Sequence, residues 1–363
     1  MRDLGLDIRI DGIGNVVAST PSESGLAPVM TGSHIDTVAT GGKYDGNLGV
    51  LAGLEVIETV ISSGVRLPRP LAVAFFTDEE GARFAPDMLG SLVFVGGMAL
   101  ESSLTIEDSS GAVVGDELER IGYRGTAPTP GPTPHAYVEL HIEQGPVLEG
   151  SGIRIGVVEG VQGISWTELK LRGQSCHAGT TPMQLRRDPG LVASRICTFV
   201  NDLAMDLGGA QVGTVGAMTF TPNLVNVVPS EVTMTVDLRN TDEAVLRAAE
   251  AQFTTHVSSV AQRAGVEVER RTLARFEPVS FDQRVMEVVE RNARSLGHST
   301  RRMPSGAGHD AQMLSRICPT GMIFVPSVNG VSHNVSEYTD PADIAAGANV
   351  LLRTMLELAA TGF

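Results

Sequence analysis

Four short, largely apolar runs constrain this chain more than any other feature: Ala27 to Thr31, Leu71 to Phe76, Ala136 to Leu140 and Met322 to Val325. Each is too short for a buried helix, and none shows the sustained polar alternation of a half-exposed strand. They read as strands covered on both faces, as in a parallel sheet. Parallel neighbours need crossovers. The first is visible between Asn47 and Ile61, where Leu48, Val50, Leu51, Leu54, Val56, Ile57 and Val60 recur at roughly helical spacing. Asp45-Gly46 precedes this segment and Ser62-Ser63-Gly64 ends it. The fold class expected is α/β.

After the Pro/Thr loop from Thr126 to Pro134 the texture changes. Ser165 to Arg172, Gln211 to Phe220 and Glu231 to Leu238 alternate polar and apolar residues, the pattern of half-buried antiparallel strands. Helical segments lie near Pro189 to Leu207 and Glu243 to Gly265. A chain of 363 residues accommodates two domains. The expected organisation is a catalytic α/β domain over residues 1–161 and 275–363, with an α+β lid and dimerisation domain inserted at 162–274.

In such sheets, ligands bind beyond the carboxyl ends of the strands. His34 and Asp36, then Asp45, follow the first run; Asp78-Glu79-Glu80 follows the second; His141 follows the third; and His333 follows the fourth. A single histidine or acidic cluster has ordinary explanations, but four deliveries at the same strand end form a pattern. Three widely spaced cysteines with no C-x-x-C pair leave a metal to His, Asp and Glu. Imidazole with carboxylate suits zinc, and carboxylate also admits manganese; cobalt and nickel fit the same set. Two ions about 3.5–4 Å apart need a carboxylate with an oxygen for each. One ion would take His34 and His141, the other Glu80 and His333, with Asp45 between them and a water shared. Asp36 would accept the His34 ring N–H. Glu79 would take a proton from the water and pass it to a leaving nitrogen.

The strings "GSHIDTVATGGKYDGNLGVLAGLEVI", "DEEGARF", "HIEQGPVLE", "CHAGTTPMQLRRDP", "NVVPSEVTMTVDLRN", "SGAGHDAQM" and "MIFVPSVNGVSH" run nearly the length of the chain. Their order and spacing resemble the amidase (carbamoylase) branch of the aminoacylase-type binuclear metallohydrolases, peptidase family M20. That branch includes N-carbamoyl-L-amino-acid hydrolases, allantoate amidohydrolases and β-ureidopropionases. The resemblance implies two divalent ions per subunit on the five ligands named, with Glu79 as base and Asp36 behind His34. It also implies that His177 polarises the scissile carbonyl, that Asn226 and Arg239 hold a substrate carboxylate, and that Gln144 lines the site. The inserted domain would make a homodimer. His309, in the Gly-rich "GAGHD" segment, is left as either a site-lining donor or a buried structural histidine.

The substrate then expected is a small carboxylate-bearing ureido compound, an N-carbamoyl-L-amino acid cleaved to amino acid, CO2 and ammonia. Allantoate or β-ureidopropionate is the alternative. A net charge of -15 disfavours nucleic acid. No run is long enough to span a membrane, and Met1 to Asp7 lacks a basic-apolar leader, so a cytoplasmic enzyme is expected. Two departures from the resemblance stand out. Relatives carry further helical turns before the segment matching Met1 to Leu6; without them the expectation includes a catalytically impaired metal-binding protein. Asn47 replaces a common proline and is expected to cap its helix.

Overall fold

A computed structural model describes residues 1–361. The chain divides into two compact units, Met1–Val161 with the segment from Ser280 onward, and Gln162–Val279.

The first unit is built on a mixed sheet. In spatial order its strands are Asp7–Ile10, Val16–Ser19, Leu71–Phe76, Val29–His34, Ala136–Ile142, Thr320–Val325 and Ile155–Val161, with Thr300–Ser305 beside the last. The four central strands are the four apolar runs, and they are mutually parallel. All but Leu71–Phe76 are buried throughout, which is why they show no alternation in the sequence. The flanking strands Val16–Ser19 and Ile155–Val161 run antiparallel to their inner neighbours. Asn47–Ser63 crosses between the first two central strands and packs against Pro341–Ala360, which itself packs against Gln283–Ser295. Pro341–Ala360 begins with Asp340 accepting the Ala342 N–H and Pro341 at its first position.

Asn47 does not cap its helix. The cap position belongs to Gly46, at φ 67°, and no side chain caps there. The expected capping bond is absent because Asn47 is already the first helical residue, one position past the cap.

The second unit is a four-stranded antiparallel sheet in the order Glu267–Phe276, Gly163–Arg172, Glu231–Asn240, Val212–Thr221. Glu231–Asn240 buries every second side chain. Val232, Met234, Val236 and Leu238 face Ile196, Val200, Leu246 and Phe253 from the helices Pro189–Leu207 and Glu243–Ala264. Asp188 and Asp242 start these helices by accepting backbone N–H groups of their first turns, and Gly265 ends the second in the left-handed region. The strand Glu267–Phe276, which carries this unit past Ala274, has no apolar alternation to announce it. It is an edge strand with Glu267, Glu269, Arg270, Arg271 and Arg275, the charged dressing that keeps an edge from pairing.

Candidate metal centre

Strand register gathers the first unit's candidates. His34 lies opposite Phe76, so the turn carrying Asp78, Glu79 and Glu80 starts beside it. His141 lies opposite Phe324, one residue before the fourth run leaves the sheet toward His333. His34 and His141 are almost fully buried; His333 is half exposed on a loop.

Asp45 stands between two sets of donors. Its Oδ1 is 3.2 Å from His141 Nε2 and 3.9 Å from His34 Nε2. Its Oδ2 is 3.2 Å from His333 Nε2, which in turn is 3.4 Å from Glu80 Oε2. The groupings His34–Asp45–His141 and Asp45–Glu80–His333 each bring their ligand atoms within 4.8 Å of one another. Burial alone would raise the Asp45 pKa, but hydrogen bonds from His141 and His333 outweigh it and hold the carboxyl well below the usual range. The same pairing lifts His141 to about 9 against the downward pull of its burial.

Gly46 is required next to this carboxylate. Its φ is +67°, and a Cβ there would sit 2.4 Å from His34 Cε1. Both buried imidazoles have Nδ1 committed to backbone: His34 to the Asp36 carbonyl at 3.0 Å, His141 to the Ile142 carbonyl at 2.9 Å. Nδ1–H donation leaves the Nε2 lone pair of each ring as the one a metal would take. Asp36 thus meets the His34 ring N–H with its main-chain carbonyl, which leaves its carboxylate for a second contact. The carboxylate lies 3.7 Å from His34 Nδ1 and accepts the backbone N–H groups of Glu79 and Glu80, at 3.3 and 3.1 Å. It shapes the acidic turn, while its carbonyl oxygen orients the ring.

Glu79 is buried, with Oε2 3.5 Å from His34 Nε2. Burial, followed by the nearby Asp310, Glu80 and Glu139 carboxylates, pushes its pKa well above the ordinary value. A carboxyl so placed holds a proton readily, as an acid–base group must. Gln144 adopts φ +59° and donates Nε2–H to Asp45 Oδ2 at 3.1 Å. His309 is buried beside His141: its Nε2 meets Ser305 Oγ at 2.8 Å, and its ring stands edge-on to His141 with centroids 4.6 Å apart. Burial, then the neighbouring His141, pushes its pKa down, which keeps it neutral.

Two carboxylates here escape sequence reasoning. Glu139, buried in mid-strand, accepts from Ser33 Oγ at 2.6 Å and from the Ala311 N–H at 2.9 Å. Its signal was legible as an acid inside an apolar run, two residues before His141 and hence on the same face. Glu337 accepts the backbone N–H groups of Tyr44 and Asp45. It follows no strand, so a strand-end criterion passes over it.

The second unit holds the other three candidates. His177 pairs with Val227 in a two-stranded ribbon, and the Asn226 carbonyl accepts the Ala178 N–H at 3.0 Å, so His177 and Asn226 sit side by side. His177 Nδ1 accepts the N–H groups of Gly179 and Thr180, at 3.0 and 3.2 Å. Its proton therefore sits on the exposed Nε2. Arg239 makes the local pair that its strand allows, Nη2 to Asp237 Oδ2 at 2.9 Å, with its guanidinium 5.8 Å from the Trp166 ring centroid.

The donor set of the first unit fits divalent ions. All its donors are imidazole nitrogens and carboxylate oxygens, and no thiolate is among them. Glu80 Oε1 is buried without a hydrogen-bond partner among the described residues, an orphan acceptor that a cation would satisfy. Among the described residues, no helix is long and apolar enough to cross a membrane.

The model of the peptidase family M20/M25/M40 matches residues 30–357. The chain is 42% identical over 358 residues to an N-carbamoyl-L-amino-acid amidohydrolase of Rhizobium meliloti, covering 98% of this chain and 86% of that protein. It is 37% identical to the allantoate amidohydrolase of Escherichia coli over 98% of this chain and 87% of that one. A crystal structure of a hydantoinase/carbamoylase-family amidase from Burkholderia multivorans superposes with TM-score 0.96 at 44% identity, covering 100% of this chain and 88% of the other. The chain belongs to the amidase branch of the metal-dependent M20/M25/M40 peptidase family, and is a hydrolase of amide C–N bonds.

Proposed function

We propose that this enzyme hydrolyses the carbamoyl C–N bond of N-carbamoyl-L-amino acids. The observation that carries the reading is the two-sided placement of Asp45, with one oxygen toward His34 and His141 and the other toward His333 and Glu80. The name of the Rhizobium meliloti relative supports the substrate class. We assign one divalent ion to His34, His141 and Asp45 and a second to Asp45, Glu80 and His333, with zinc or manganese as the first choices. Ions bound there would polarise the scissile carbonyl and acidify a water.

The remaining chemistry belongs to side chains. Glu79 takes the proton of the attacking water and returns it to the leaving nitrogen. The amino acid departs as the free amine, and the carbamate breaks down to CO2 and ammonia. His177 donates Nε2–H to the oxygen that becomes negative in the transition state. Arg239 and Asn226 hold the substrate carboxylate; Asp237 is the group that Arg239 must exchange or share for that purpose. Gln144 steadies Asp45, and His309 backs His141.

We assign the second unit the lid and homodimer role. Of its two sheet edges, Glu267–Phe276 is heavily charged, whereas Val212–Thr221 carries no charged residue and leaves its edge able to pair. Sedimentation of wild type against a Thr219→Lys form tests this; a monomeric wild type removes the assignment.

The deciding experiment is an ammonia-release screen of metal-loaded protein on N-carbamoyl-L- and D-amino acids, β-ureidopropionate, allantoate and N-acetyl amino acids. Turnover led by the N-carbamoyl-L compounds is expected. Preference for allantoate selects the activity named for the Escherichia coli relative, and cleavage of the N-acetyl compounds alone removes the ureido reading altogether.

A further inference from the structure

We infer that Glu337 is a positioning residue whose carboxylate ties the Asp45 turn to the loop carrying His333, and so fixes the distance between the two halves of the metal centre. This rests on the ligand assignment just proposed.

The five ligands are not held equally. His34 and His141 are buried strand residues with Nδ1 anchored to backbone. His333 sits on a loop, its side chain 48% exposed and its backbone at φ +53°, a conformation that a non-glycine residue keeps only when its surroundings enforce it. Asp45 likewise lies in a turn, between the sheet and the helix Asn47–Ser63. Neither is positioned by the strand register that places the other histidines.

Glu337 bridges these two segments. It is 4% exposed. Its Oε1 accepts the backbone N–H groups of Tyr44 and Asp45, at 3.0 and 3.1 Å. Its Oε2 is 3.1 Å from Ser332 Oγ, and that hydroxyl also lies 3.2 Å from Asp45 Oδ2. One carboxylate thus grips the Asp45 main chain directly, and shares the single hydroxyl proton of Ser332, the residue preceding His333, with the Asp45 side chain. Both its oxygens are engaged by protein donors, so Glu337 acts through Asp45 and Ser332 rather than as a ligand. The turn is shaped to admit it: a Cβ at Gly42 would lie 2.1 Å from Glu337 Oε1. The edge-on rings of Tyr44 and Tyr338, 6.0 Å apart, and the contact of Thr40 Oγ1 with the His333 carbonyl at 3.4 Å join the same two segments.

Metal affinity falls by roughly 10–100-fold when a group that orients a ligand is removed. The loss here should be uneven: Asp45 serves both ions, but the ion on His34 and His141 keeps two strand-held ligands, whereas the ion on Glu80 and His333 depends on Glu337 for both the Asp45 turn and the His333 loop. The variants are Glu337→Ala, Glu337→Gln and Ser332→Ala, with Asp45→Asn as reference. Each is titrated with zinc and manganese against a competing chelator that resolves two binding steps. Glu337→Ala should weaken one step at least 10-fold and leave the other within about 3-fold. Glu337→Gln keeps the acceptor for the two N–H groups and should recover most of the loss. Ser332→Ala, the milder change should Glu337→Ala fail to fold, should weaken the same single step by a few fold. Asp45→Asn should weaken both. Unchanged binding in Glu337→Ala, or equal weakening of both steps, overturns the inference. Imidazole NMR of the metal-free proteins supplies a readout independent of ions. The His333 ring signals should shift in Glu337→Ala and return toward wild type in Glu337→Gln, and unmoved signals overturn the inference. A wild type that binds no ion defeats the metal assignment, and the NMR comparison still decides the role of Glu337.

Discussion

The Nδ1 atom of His177 accepts the backbone N–H of Gly179 at 3.0 Å. With Thr180 N–H on the same nitrogen at 3.2 Å, Nδ1 is the acceptor of the ring, which leaves Nε2 as its donor. A donor at a developing oxyanion is worth roughly 10²–10³ in kcat. His177→Ala should lose that much in kcat while its metal content stays at the wild-type level. Steady-state kinetics with metal analysis checks this; a change confined to KM would remove the oxyanion role.

Glu79 lies close to the ligands without being assigned to either ion. Glu79→Gln keeps the shape and removes the proton acceptor, so kcat should fall by about 10²–10⁴ with both ions retained. A variant that turns over at the wild-type rate with its ions in place leaves Glu79 with no catalytic part.

The contact of Gly46 with the His34 ring leaves no room for a side chain. Gly46→Ala should cost of order 1–3 kcal/mol in backbone strain and displace a ligand ring as well. Weaker metal binding together with a lower melting temperature of the metal-free protein is the expected pair of results. Either one without the other shows that strain and ligand displacement are separable here.

Asp11 supplies a pH signature away from the metal centre. Burial raises its pKa from 3.8 to about 6, against the opposing hydrogen bonds from Asn15, Ile13 and Gly14. The folded state then holds this proton more tightly than the unfolded chain. The contribution to stability is fully present below pH 3.8 and is lost as pH rises through about 6. Relative to Asp11→Asn, which cannot ionise, wild type should lose roughly 2–3 kcal/mol of stability between pH 4 and pH 7. Denaturant midpoints for both forms across that range measure it, and a stability difference that does not vary with pH contradicts the raised pKa.

The amino-acid sequence by itself determined the central sheet and the acids and histidines at its carboxyl end. Both follow from local chemistry: burial on two faces writes an unbroken apolar run, and parallel strands deliver whatever follows them to one edge. The alternation in Glu231–Asn240 and the helical segments near Pro189 to Leu207 and Glu243 to Gly265 were legible for the same reason, since each is decided within a few residues. The edge strand Glu267–Phe276 was not, because an exposed strand has no face that must be apolar. Only the tertiary structure decided which Asp45 oxygen faces which histidine, that Asp36 meets the His34 ring with its carbonyl while its carboxylate grips Glu79 and Glu80, and that Gly46 rather than Asn47 takes the cap position. It alone joined Glu337 to Tyr44 and Asp45 across nearly three hundred residues. Those outcomes depend on hydrogen-bond partners that meet only when distant loops converge, and a buried carboxylate takes whichever donors arrive within reach.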